Sequence, residues 1–244
     1  MSTEKFAEQI ANASPRLKAR FAGAFYLVNG MMYSYADSHV HDKILVAGNA
    51  AATAQNILAN GQVLRTCFAV ELASSACYVV VTLLLFDLLK PVNKSISTLA
   101  AFFSVMGCGI GALTSLFTFA PLIIMGGAPY LSVFKVEQLQ AMALLSLDLH
   151  VVATSICMVF FGFYCLLIGY LIFRSTFMPR IIGIFMMITG LAYQVYLSPP
   201  LATYLFPYVV KPAGALGELS LLLWLLIFGV NPQRWKQQAA SAGE

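Results

Sequence analysis

Between Val151 and Phe173 the chain runs without one charged residue or histidine. A stretch of that length and hydrophobicity crosses a bilayer as a helix. About 20 apolar residues, rising 1.5 Å each, match the hydrocarbon thickness, and in lipid only a helix or a closed barrel satisfies its own backbone. The stretch belongs to one of six apolar runs: Phe21–Ser38, Leu64–Leu89, Leu99–Met125, Leu147–Phe173, Ile181–Leu197 and Ala213–Val230. The third and fourth are long enough to tilt or to project past the membrane. The first is short and holds Asn29 and Gly30. Six runs predict an all-α, polytopic membrane protein with six transmembrane helices in one bundle. Composition agrees: 60% of residues are hydrophobic and 10% charged, against about 25% charged in a soluble domain.

The basic residues orient this bundle. Arg174 and Arg180 flank Pro179 in "FRSTFMPRIIG". Proline starts a helix well, because its missing N–H has no partner in a first turn. The segment reads as a tight hairpin between two spans, and basic hairpins stay in the cytoplasm. With six spans, Lys5, Arg16, Lys18, Arg20, Lys90, Lys94, Arg234 and Lys236 share that side, while Lys43, Arg65, Lys135 and Lys211 face the other. Both termini are therefore expected in the cytoplasm.

Three regions follow: residues 1–17 as a cytoplasmic or interfacial amphipathic N-terminus, 18–235 as the six-helix transmembrane domain, and 236–244 as a polar C-terminal tail. "MSTEKFAEQIANASPRLKAR" carries Glu4 and Glu8 ahead of any apolar run and so does not read as a secretory signal. Phe6 and Ile10, four apart, mark one face of a surface helix. "KPVNKS" from Lys90 reads as a short turn. In "HVHDKILVAGNAAATAQNILANGQ", Asn49 is placed to cap a short helix and Gly61 to end it. In "GGAPYLSVFKVEQLQAMA", an interfacial helix is expected from Ser132. No internal repeat is visible, so the inverted-repeat signature of many transporters is not supported.

"LLKPVNKSISTLAAFF", "FFGFYCLLIGYLIFRSTFMPRIIGIFMMITGLAY" and "GELSLLLWLLIFGVN" resemble the signature blocks of a bacterial membrane family, the domain of unknown function 4386. "GNAAATAQNILAN" resembles that family's external segment between the first two spans. The resemblance covers roughly residues 18–235, and its hairpin and last-helix blocks are the most specific. It implies a multi-span protein of a bacterial inner (plasma) membrane. It implies no particular activity and no catalytic residues, and His39 and His41 lie outside its pattern.

Ionisable groups inside a span cost about 2.5–3.5 kcal/mol each on insertion scales, so their positions carry information. Asp37 ends the first span. Arg65 opens the second, and Glu71 lies about two turns in. Asp148 and His150 open the fourth, and Glu218 sits early in the sixth. All of these fall on the external half, whereas Asp87 alone is on the cytoplasmic half, with Lys90 three residues away to neutralise it. This one-sidedness motivates an outward pocket for a ligand, a proton or a cation, floored by Glu71 and Glu218 and rimmed by Arg65, Asp148 and His150. Two carboxylates at similar depth can share one proton or hold a cation. The plainer account is that each group hydrogen-bonds a neighbouring helix or reaches the interface.

A metal centre is the sharper version. His39 and His41, with His150 and a carboxylate, form a usable ligand set, provided the H-x-H pair sits on an extended segment, where alternate residues share a side. No metalloprotease signature accompanies it, and no motif indicates a cofactor. "GCGIGALTS" lacks the preceding strand of a dinucleotide loop. Its Gly107, Gly111 and Ser115 instead recur every four residues, as a close helix-packing stripe does. Gly183 and Gly190 are expected to act likewise. Cys67, Cys77, Cys108, Cys157 and Cys165 all fall in apolar runs and read as small core side chains rather than disulfides. Tyr170, Tyr193, Tyr204, Tyr208 and Trp224 read as interfacial anchors.

Three classes of function fit these residues. A non-catalytic helical module that binds lipid, a small molecule or a partner membrane protein needs only packing stripes and few buried charges, and is favoured. A transporter or channel needs a polar path through both halves. A membrane enzyme needs Glu71, Asp148, His150 and Glu218 to converge on one external site. Membrane lipids, another membrane protein or a second copy of the chain are the expected partners. Nucleic acid is not, since no basic run interleaves with aromatics.

Overall fold

The computed structural model describes residues 14–241. The amphipathic helix expected around Phe6 and Ile10 lies outside the described residues. Within them the chain forms eight helices: α1 (Pro15–Lys43), α2 (Ala50–Ala59), α3 (Gly61–Leu89), α4 (Lys94–Ile124), α5 (Val136–Arg174), α6 (Arg180–Leu197), α7 (Pro199–Ile227) and α8 (Pro232–Ser241). The fold is all-α, with no strand among the described residues. Five helices, α3 to α7, are long and apolar enough to cross a membrane. In α1 the apolar stretch is diluted by Asn29, Tyr33, Ser34, Tyr35 and Asp37, and it is not among the five.

Contacts divide the helices into two compact units where the sequence suggests one bundle. The first comprises the described residues up to Leu27, Tyr78–Gly107 and those from Met158 onward; the second comprises Val28–Cys77 and Cys108–Cys157. Helices α1, α3, α4 and α5 each contribute one segment to each unit. Their lengths explain why. At 29 to 39 residues they run about 45–60 Å, well beyond the ~30 Å of hydrocarbon, so each has two stretches with separate neighbours.

The second unit holds the short helix α2. Asn49 caps it, its side-chain oxygen accepting from the Ala52 N–H at 3.0 Å. The turn before it is tied by Thr53, whose hydroxyl accepts from the Val46 N–H at 3.0 Å, and by Asn56, which donates to the Ile44 carbonyl at 3.2 Å. Gly48 supplies the left-handed residue (φ 70°) this turn requires. The helix ends at Asn60, whose N–H returns to the Asn56 carbonyl, and Gly61 begins α3 instead of closing α2. Ile44, Ile57, Leu64, Ala143 and Leu147 form the buried core beneath. The helix expected from Ser132 is not a separate element. Only a single 3-10 turn, Pro129–Leu131, precedes α5, which starts at Val136 and runs unbroken for 39 residues. Gln138 accepts from the Lys135 N–H at 2.9 Å and fixes that start.

In the first unit, α3 stops at Leu89 because Pro91 disfavours helical geometry at Lys90. Asn93 then caps α4 through the Ile96 N–H at 2.9 Å. Helices α5 and α6 meet backbone to backbone. A Cβ on Gly169 would lie 2.8 Å from the Gly183 carbonyl oxygen, and one on Gly190 would lie 2.7 Å from that of Gly162. A Cβ on Gly23 would lie 2.7 Å from the Leu226 nitrogen, so α1 and α7 are equally close. Gly107 of the α4 stripe receives the Phe161 ring.

The last long helix begins earlier than its apolar run. Ala213 was the expected start, after a loop containing Pro199, Pro200, Pro207 and Pro212. The chain is already helical from Pro199, where proline at the first positions breaks no hydrogen bond. A wide π-turn at Phe206–Val210 then absorbs Pro207, and a second spans Ala215–Leu219. Gly229 (φ 68°) ends α7, and Asn231 caps α8 by accepting from the Gln233 and Arg234 N–H groups at 3.1 Å each. The described part of the polar tail is thus helix, fastened by the Trp235 indole, which donates to the Leu88 carbonyl at 2.9 Å.

Candidate functional site

The second unit brings three polar side chains from three helices together. Thr118, buried on α4, places its hydroxyl 3.0 and 3.1 Å from the two Glu71 carboxylate oxygens of α3. The same oxygen lies 3.1 Å from His150 Nδ1 of α5. His150 Nδ1 also lies 3.3 Å from the Thr114 carbonyl oxygen. A carbonyl only accepts, so Nδ1 carries the ring hydrogen. His150 shares that one hydrogen between the Thr114 carbonyl and the Thr118 hydroxyl, and Thr118 has its single hydrogen left for Glu71. The chain of donation runs one way, His150 to Thr118 to Glu71. Its open ends are both acceptors: the remaining lone pairs of the carboxylate and His150 Nε2.

This order fits poorly with a hydroxyl nucleophile. In an activated serine or threonine the base takes the hydroxyl hydrogen and the carboxylate steadies the base. Here the carboxylate takes the hydroxyl hydrogen and the imidazole is the donor. The arrangement is suited to holding an acid and a base in register.

The other expected site residues stand elsewhere. Arg65 and Asp148 lie on exposed faces of α3 and α5; the partner of Glu71 is Thr118, on another helix. Glu218 falls in the first unit, where Tyr193 of α6 donates to its Oε1 at 2.7 Å. Glu218 sits in the second π-turn of α7, an irregularity that often marks functional positions. Tyr193 was read as an interfacial anchor, but it is buried, with a relative exposure of 9%. The acidic partner across the helix pair is what draws it inward.

The histidine pair does not form the expected extended ligand arm. His39 and His41 both lie in α1, where residues two apart point to opposite sides. His39 stacks on Tyr35 with ring centroids 4.0 Å apart, and His41 Nε2 reaches Asp37 at 3.7 Å. Among the described residues no group of three or more His, Cys, Asp or Glu is gathered as a metal site. None of the five cysteines is in a disulfide.

Asp87 is held from two sides in the first unit. Lys18 of α1 bonds one carboxylate oxygen, and Lys90 approaches the other at 2.5 Å. Arg20 donates to the Ile227 carbonyl at 3.1 Å. The start of α1 is therefore tied to the end of α3 through Lys18 and to the end of α7 through Arg20. Thr118 and Lys18 were the functional partners that sequence reasoning missed. Thr118 left a signal in the i, i+4 pair Thr114 and Thr118, continuing from Gly111 along the packing stripe. Lys18 left none, since its partner is 69 residues away.

The family model described as a domain of unknown function, DUF4386, matches residues 21–229. No curated protein and no solved structure matches the chain.

Proposed function

The chain belongs to the DUF4386 family, and from that premise we propose that it is a non-catalytic binding module of the bacterial inner membrane. It crosses the membrane six times with both termini in the cytoplasm, and it holds a small cationic or amine-bearing molecule at Glu71, Thr118 and His150. One observation carries the reading: the Thr118 hydroxyl bridges an acid and an imidazole so that every open position left at the cluster is an acceptor. A site of acceptors around a carboxylate fits a ligand that brings hydrogen-bond donors and positive charge. Two further observations support the topology. Helix α1 packs its Gly23 against the backbone of α7, as a spanning helix would. Lys18 of α1 and Lys90 of the α3–α4 turn meet at Asp87, so the start of α1 and that basic turn lie together, as two parts of one cytoplasmic face would.

The test is calorimetric titration of the purified protein with a series of primary alkylamines and alkali cations. Wild type should bind one member. Glu71→Gln should weaken binding at least tenfold, about 1.4 kcal/mol, and Thr118→Val by less. Equal affinity in all three proteins would refute the site.

Proton-coupled transport is the second reading, favoured by the second hydroxyl-held carboxylate, Glu218 with Tyr193. Proteoliposome flux that depends on a pH gradient and is lost in Glu218→Gln would establish it. Flux that is absent, or indifferent to Glu218, would leave the binding module.

A further inference from the structure

A groove of about 520 Å³ opens beside α8, lined by Thr176, Arg234, Gln237, Gln238 and Ser241. No acid lines it. Gln238 is pinned by its oxygen, which accepts from the Thr176 N–H at 2.9 Å and the Thr176 hydroxyl at 3.0 Å, so its NH₂ group is turned away from Thr176. Arg234 spends one nitrogen, Nη1, on the Thr176 carbonyl at 3.4 Å; the guanidinium has five N–H donors in all. The groove therefore offers the Gln238 NH₂ and the unspent N–H groups of Arg234, with the guanidinium as its positive charge. Its wall is steady, because Trp235 ties α8 to the Leu88 carbonyl. Ile227 and Phe228, just before α8 in the chain, are about half exposed.

We infer that this groove binds the phosphodiester headgroup of an anionic phospholipid. A phosphodiester is acceptor-only, negative, and matched to a guanidinium fork. The exposed apolar end of α7 offers the surface an acyl chain needs, which a free phosphate would not use. Lys18 and Lys90 exceed by one charge the Asp87 carboxylate they hold, and that surplus attracts anionic lipid. The inference is independent of Glu71, Thr118 and His150, all of which lie in the other unit.

Native mass spectrometry of the delipidated full-length protein, titrated with phosphatidylglycerol and separately with phosphatidylcholine, tests it. Phosphatidylglycerol should be retained several-fold more. Arg234→Gln should lower that retention about tenfold, the loss of a charge-assisted pair. Gln238→Glu keeps an acceptor for Thr176 while replacing the outward NH₂ with a carboxylate oxygen; it should fold as wild type and lose the preference. Lys135→Gln, in the other unit, should change nothing. Equal retention of the two lipids, or phosphatidylglycerol binding unaffected by both groove variants, would overturn the inference. So would displacement of the lipid by millimolar inorganic phosphate, which would mark a site for a soluble anion.

Discussion

Thr118 shows how one hydroxyl can set the chemistry of a membrane cluster. Its oxygen meets an imidazole on one side and a carboxylate on the other, and the Thr114 carbonyl decides which way the hydrogens run. Replacement by valine keeps the shape and removes the bridge. Thr118→Val should cost about 1–3 kcal/mol of stability, because Glu71 and His150 lose a shared partner. Thr118→Ser should restore most of it. Melting of both variants in detergent checks this, and a serine variant as unstable as valine would mean the methyl group matters more than the hydroxyl. Glu71 was legible as a candidate because a carboxylate two turns into an apolar run demands an explanation. Thr118 was not, because threonine in a span commonly donates back to its own helix, as Thr82 and Thr189 do here. Arg65 and Asp148 stand on exposed faces, Arg65 one turn into α3 and Asp148 about three turns into α5, and chain spacing alone did not show which face each would take.

At the scale of the element, glycine spacing determines which helices touch. Gly162 and Gly169 on α5 face Gly190 and Gly183 on α6, each pair with a carbonyl where a side chain would go. Gly183→Leu should therefore force the helices apart and cost about 1–3 kcal/mol or more by overpacking, read as a lower melting temperature and a weaker cross-link between cysteines placed along the crossing. Gly30→Ala should be neutral, since nothing lies within 4 Å of its would-be Cβ. The hairpin and its stripe were readable from Arg174, Pro179, Arg180 and the glycines. The beginning of α7 was not. Four prolines looked like a loop, but position and two π-turns made them compatible with helix. The extended arm of His39 and His41 failed similarly, because nothing in the local residues shows that α1 continues to Lys43.

For the whole molecule, the chain order of charge is the main determinant. Among the described residues, the connections carrying Lys90, Arg174 and Arg180 belong to one unit and most of the acids, Asp37, Asp42, Glu71, Glu137 and Asp148, to the other. A reporter fused after the last residue should therefore be active in the cytoplasm and silent in the periplasm; a periplasmic signal would invert the topology and move the acceptor cluster to the inner leaflet. That expectation rests on the statistical rule by which positive residues stay inside on insertion. The division into two units was not legible, since it depends on contacts between residues far apart in sequence. The α5–α6 crossing has one more consequence, for biogenesis. Everything it needs lies between Met158 and Leu197, joined by a five-residue turn, and none of it waits on later sequence. The pair can close while the ribosome is still adding α7, so the translocon releases a finished two-helix template onto which Gly217 of the next helix docks, against the Phe185 carbonyl already in place.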